Sequence, residues 1–222
     1  MGEDTKFIFN KLSFSLPEDW YEHSDVADPH TKQFAINTQS GSVKLTTKEV
    51  DPSQAMPYGQ DQAVIDIIHK QYVDDESGLI EVATIDNGDL HSVHTVFKRQ
   101  VNDPANPMLK LFYTASLYVH TSAGKVYAFL FQGQEEGMTG MRDAQVFAQA
   151  QSQGAVTIAS GPETGQPKMQ GWQQDPYDPS FTKGFLMNQS EKAEYDNAFP
   201  QHPLSLLRTA IKTVSQTASE GN

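Results

Sequence analysis

Two apolar runs joined by a short polar turn dominate the middle of the chain, Leu109–Val119 and Val126–Phe131 around Thr121–Gly124. In the first run Leu109, Leu111, Tyr113, Ala115, Leu117 and Val119 share one parity. That is the period of a strand with one face in a core. In the second run Val126, Ala128 and Leu130 lie on one face and Tyr127, Phe129 and Phe131 on the other. A strand that is apolar on both faces is predicted to be central and covered on both sides. The pattern therefore predicts a hairpin in the middle of an antiparallel sheet.

The same periods place the other elements. Phe7–Phe9 and Leu12–Leu16 read as short strands, the second stopped by Pro17, with Trp20 and Tyr21 covering a sheet edge. Glu22–Lys32 reads as a polar loop, and Gln33–Thr38 with Ser42–Val50 as a hairpin. Gln60–Val73 carries Val64, Ile67, Ile68 and Tyr72 at helical spacing. Gly78–Ile85 and Leu90–Val101 are strands, with an Asn-Gly hairpin signal at Asp86-Asn87-Gly88-Asp89. Asn102–Pro107 reads as a loop. Thr139 is the expected cap of a second helix that ends at Gly154, with Val146, Phe147 and Ala150 inward. Ala155–Ala159 is a short β-like run. A Pro/Gly-rich stretch then begins at Gly161, and Leu204, Leu207, Ile211 and Val214 form one stripe of a last helix behind Pro203.

This order resembles the PsbP-like fold superfamily over residues 6–160. The likeness lies in Phe7-x-x-x-x-Leu-Ser-Phe-Ser-Leu-Pro-Glu-Asp-Trp20 and in Gly124-Lys-Val-Tyr-Ala-Phe-Leu-Phe131 before a helix. The superfamily includes the extrinsic PsbP protein of photosystem II and bacterial DcrB-type envelope proteins. The resemblance implies an α+β fold, an antiparallel β-sheet flanked by helices on both faces as an α/β/α sandwich. It implies a binding or assembly role, not catalysis. Residues 161–222 fall outside it, so a domain at 1–160 is expected, with a Pro/Gly-rich arm at 161–222 that ends in a helix and packs on the domain. On that reading, removal of the arm leaves a folded but stickier domain.

Charge and composition narrow the function classes. Formal net charge is −12, with 16 Lys and Arg against 28 Asp and Glu, so nucleic acid and anionic membrane are repelled. There is no cysteine, which excludes thiolate chemistry and disulfides and suits an oxidising compartment. No apolar run is long enough to span a membrane. Met1-Gly2-Glu3-Asp4 reads as a cloning junction, so a signal segment or a lipid anchor is expected in the precursor. The expected place is the periplasm or cell envelope, with the cytoplasm as the alternative.

The chemistry-bearing residues are few. His23, Asp25, Asp28 and His30 are weak metal candidates in one polar stretch. His91 and His94 sit on opposite faces of a strand and cannot share an ion. Asp175-Pro176-Tyr177-Asp178 lacks the glycine and terminal Glu of a calcium loop. Asn188-Gln189-Ser190 matches the glycosylation triplet. No nucleophile elbow, phosphate loop or dinucleotide signature is present, so no catalytic residue and no cofactor is assigned. Tyr127, Phe129 and Phe131 with Phe112 and Tyr118 read as core or as a ligand cleft. Trp172, Tyr177, Phe181 and Phe185 are too apolar to leave in water; they pin the arm to the domain or bind a partner. A non-catalytic envelope protein with a protein partner is the expectation. A variant is an immunity or chaperone protein for a secreted toxin; the alternative class is a hydrolase whose site assembles from distant residues.

Overall fold

The computed structural model describes residues 3–23, 28–103, 106–160 and 167–221, and leaves out the side chains of 102–110 and 160–168. In chain order the elements are β1 (Thr5–Phe9), β2 (Leu12–Leu16), β3 (Tyr21–His23), β4 (Thr31–Asn37), β5 (Gly41–Val50), α1 (Asp61–Gln71), β6 (Ser77–Asn87), β7 (Leu90–Asp103) and β8 (Asn106–His120). They continue as β9 (Val126–Glu135), α2 (Met141–Ser152), β10 (Thr157–Ser160), β11 (Pro167–Gln170), α3 (Pro203–Thr217) and β12 (Ser219–Glu220). Seven strands form one sheet in the order β3-β4-β5-β9-β8-β7-β6. Every neighbouring pair in it is antiparallel, so the fold is α+β.

β9 is the middle strand, as its two apolar faces require. Its neighbours place Leu45 and Ala115 opposite Phe131, and Thr47 and Leu117 opposite Phe129. On this face Phe34, Val43, Leu45, Phe129 and Leu117 join one core with Phe14 of β2 and the α3 stripe Leu204, Leu207, Ile211 and Val214. Phe14 meets Phe129 edge to face at 4.9 Å. β1, β2 and β12 form a second, three-stranded sheet that shares this core with α3. The stripe of α3 is that of the sequence reading, with Pro203 in the first turn and the His202 side chain accepting from the Leu204 N–H.

The opposite face is covered unevenly. Val64, Ile65 and Ile68 of α1 pack on Leu79 and Val82 of β6. The stripe is rotated from the expected one: Ile65 is buried, Ile67 is half-buried and Tyr72 lies exposed. Tyr72 has left helical geometry at the C-cap and so cannot continue the stripe. Among the described residues no helix covers this face beyond β7. α2 packs instead against the arm, with Val146 and Ala150 facing Val156 and Trp172.

Several boundaries differ from the sequence reading. Tyr21–His23 pairs with β4, so the loop expected over Glu22–Lys32 is shorter. β7 and β8 extend through most of the expected Asn102–Pro107 loop. Asn87 pairs with Leu90, so the hairpin turns on Gly88-Asp89, one residue later than Asn-Gly. Gly88 takes φ +61, which a residue with a Cβ resists, and this fixes the turn there. Thr139 does not cap α2; the N-cap is Gly140, with no side-chain cap bond. Phe112 and Tyr118 lie on the face opposite Tyr127, Phe129 and Phe131, because they belong to the other parity of β8.

The core does not divide at residue 160. α3 supplies Leu204, Leu207, Ala210, Ile211 and Val214 to the same cluster as the central strands, and β12 pairs with β2. Removing 161–222 is therefore expected to abolish cooperative thermal unfolding, in contrast to the folded fragment expected from sequence; a sharp transition in the fragment would refute the single core. Phe129 is fully buried. Phe129→Ala is expected to lower stability by about 3–5 kcal/mol in urea denaturation, and a loss below about 1 kcal/mol would contradict its placement.

Candidate functional site

β5 alternates Val43, Leu45 and Thr47 toward the core with Ser42, Lys44, Thr46 and Lys48 on the other face. β9 and β8 present Leu130, Gln132 and Thr114 beside them. Because α1 stops at β6 and β7, this part of the sheet forms the floor of an open trough. Its volume is about 560 Å³, and Lys44, Thr46, Thr114, Leu130 and Gln132 line it with His23 at the β3 edge. Lys44 and Gln132 are exposed and Leu130 is half-buried. A second hollow of about 270 Å³ shares Thr114 and continues to Tyr118, Phe97 and Arg99 under the Met56 loop. Apolar floor and polar walls together suit a ligand or partner segment that brings both kinds of group.

The remaining polar chemistry is concentrated where the arm meets the body. Lys98 and Glu191 are both fully buried and 2.9 Å apart. Glu191 also accepts from the Asn188 N–H at 2.7 Å and from the Tyr113 hydroxyl at 3.4 Å. Burial pushes the Glu191 carboxyl up, against the opposing pull of Lys98 and the Asn188 N–H. It also pushes the Tyr113 phenol far up, with Glu191 adding to the shift. Arg142 of α2 is 1 % exposed and donates to the carbonyls of Ser190 and Lys192, to the Ser205 hydroxyl and to Asp196. Asp196 binds Arg208 as well, and Arg208 reaches Glu81 at 2.8 Å. Nothing in the sequence marks these residues, because isolated charges far apart in the chain read as solvated surface.

The sequence-derived candidates are dispersed. His23 lines the trough, whereas His30 borders a separate hollow with Asn10 and Glu49. Asp28 is occupied by the His30 N–H, and Asp25 lies outside the described residues. Among the described residues no three metal-binding side chains come together. Asp175 accepts from the Tyr177 and Asp178 N–H groups and meets His69 Nε2 at 2.9 Å, so its oxygens are used internally. Asn188 and Ser190 are buried in a capping box with Glu191, which closes the glycosylation triplet to any enzyme.

The four arm aromatics each hold the arm. Trp172 meets Phe147 of α2 edge to face at 5.1 Å. Phe181 stacks on His69 with ring centroids 4.0 Å apart. Phe185 lies 4.0 Å from Lys98 Nζ. The Tyr177 hydroxyl accepts from the Val82 N–H and donates to the Val82 carbonyl, so it takes the place of a further strand on β6. Gly78 allows the arm this close, since a Cβ there would lie 1.8 Å from the Phe185 carbonyl oxygen.

Three further histidines are held by carboxylates. His202 accepts from the Leu204 N–H at Nδ1 and meets Glu135 at 3.0 Å through Nε2, so neither nitrogen faces a serine hydroxyl. His91 meets Asp86, and His94 meets Glu81, each at 2.8 Å and on opposite faces of β7.

Among the described residues no helix is long and apolar enough to cross a membrane. No protein-family model matches the chain, and no curated protein matches it. Among solved structures, LpqN, involved in cell envelope biogenesis of Mycobacterium tuberculosis, is similar at 10% identity with a TM-score of 0.25. The match covers 68% of this chain and 86% of that one, and the likeness is too loose to carry an argument.

Burial pushes the Glu81 carboxyl up, but the His94 hydrogen bond and the Arg208 charge outweigh it and hold it at about 2, against an ordinary 4.5. A carboxyl lowered in the fold stabilises above its unfolded value and loses that contribution as pH falls through its folded one. Acid titration of wild type is thus expected to show a loss of about 3 kcal/mol between pH 4.5 and 2 that Glu81→Gln lacks. Equal acid limbs for the two proteins in urea denaturation would refute the Arg208–Glu81–His94 geometry.

Proposed function

We propose that the chain is a non-catalytic binding or assembly protein that takes a protein partner in the trough over β4, β5, β9 and β8, and that it works in a bacterial cell envelope. The observation that carries this reading is the division of labour between the two polar regions. Around the arm, the buried Lys98, Glu191 and Arg142, with the serines and His202 beside them, are committed to each other or to backbone. In the trough, Lys44 and Gln132 stand open beside the half-buried Leu130. A surface with apolar floor and unengaged polar groups is suited to binding. A PsbP-like assignment belongs to the same reading, supported by the strand order and by helices on both sheet faces. An envelope location is supported by a composition without cysteine.

Site-specific photo-crosslinking tests it. A benzoylphenylalanine at Gln132, inside the trough, is expected to give one discrete protein adduct in the native host. The same group at Lys212, exposed on α3, is expected to give none. Adducts only from Lys212, or from neither position, would remove the trough as the partner site. Fractionation of the native precursor to the cytosol would remove the envelope half of the proposal.

A further inference from the structure

We infer that the segment received in the trough is acidic: a stretch of polypeptide whose carboxylates meet Lys44 and Lys48 of β5. The inference rests on the binding reading above and adds the chemistry of the partner. The outward positions of four adjacent strands carry it. β4 offers Gln33 and Ala35, β5 offers Lys44, Thr46 and Lys48, β9 offers Ala128, Leu130 and Gln132, and β8 offers Thr114 and Ser116. None of these is an acid, although the chain holds 28 Asp and Glu. Three other lysines are each paired with an acid: Lys32 with Glu22, Lys98 with Glu191 and Lys125 with Glu49. Lys44 and Lys48 form no ion pair among the described residues. In a protein of net charge −12, two cations on an acid-free stretch of sheet, with no carboxylate partner among the described residues, are complementary to a carboxylate from outside.

The same features select among anionic partners. Nucleic acid offers a dense row of phosphates whose binding scales with the number of cations engaged; two lysines on a strongly acidic body cannot supply it. A lipid surface is met by projecting residues, and each lysine adds only about 1 kcal/mol there, whereas this floor is recessed. A peptide fits better. Lys44 and Lys48 are four residues apart on a strand, about 13 Å, which an extended segment spans with carboxylates at the same interval. Thr46, Thr114 and Gln132 lie in the trough as partners for its backbone, and Leu130 supplies the apolar contact. Long-range repulsion from the rest of the protein is screened beyond about 8 Å at physiological salt, so the local pairs decide.

Fluorescence anisotropy on the full chain tests the assignment, at physiological salt. The probe is a fluorescein-labelled peptide of alternating glutamate and alanine, about a dozen residues long. Its control replaces every glutamate by glutamine. The glutamate peptide is expected to bind, the glutamine peptide at least about tenfold more weakly, and Lys44→Glu/Lys48→Glu to lose the glutamate peptide with an unchanged thermal midpoint. Equal binding of both peptides would leave the trough as a partner site and overturn its preference for acid. Binding to phosphatidylglycerol vesicles without binding to the glutamate peptide would overturn the inference in favour of a membrane. Binding to neither would overturn it outright, while the crosslinks from Gln132 decide the binding reading independently.

Discussion

The Lys98–Glu191 ion pair sits where the main sheet, the arm and the last helix come together, and neither side chain has any exposure. Two charges in that position are tolerable only if every remaining lone pair and proton is matched. The fold supplies partners to both charges. Glu191 takes an N–H from Asn188, the Arg208 guanidinium takes the Glu191 carbonyl, and Phe185 faces Lys98. Arg142 completes the ring by gathering the carbonyls of Ser190 and Lys192. The path of residues 185–199 is therefore determined by charge, in a stretch too poor in aliphatic residues to be placed by packing alone.

That arrangement explains how the sheet is covered. One face receives α3 and the small sheet, which bury the aromatic stripe of β9 under a continuous apolar layer. Among the described residues the other receives α1 at the β6 end, with the Met56 loop beside it. α2 would be long enough to cover the rest, but its inward residues Val146 and Ala150 are engaged by Val156 and Trp172, and its Arg142 by the arm. The trough is thus the remainder left when the second helix is committed to another task.

Hydrophobic period made the skeleton legible. The parity of Leu111 to Val119, the central place of Val126–Phe131 and the stripe of α3 agree with the folded positions, but the cover expected over the second face of Val126–Phe131 is incomplete, since Leu130 is half-buried on the floor of the trough. Local backbone detail was less visible. The turn lies one residue from the Asn-Gly position, because Asn87 still pairs with Leu90 and the positive φ falls on Gly88. The buried charges were not legible at all. Lys98 and Glu191 lie 93 positions apart, and no pattern in a single sequence distinguishes a charge that will be matched in the interior from one that will be hydrated. The trough shares that difficulty: Lys44, Thr46 and Lys48 have the ordinary look of a solvated strand face, and only the position of α1 and α2 gives them a shape.

The hydroxyl of Tyr177 on Val82, with the Phe185 N–H on the Ser77 carbonyl, has a consequence for assembly. Growth of a sheet from molecule to molecule requires an open border at each end, so that every newcomer presents a fresh one. Here one border of the main sheet is occupied from within at Ser77 and Val82. The opposite border is β3, a strand of only three residues. A very short strand on one border and a partly occupied strand on the other both disfavour runaway edge-to-edge stacking.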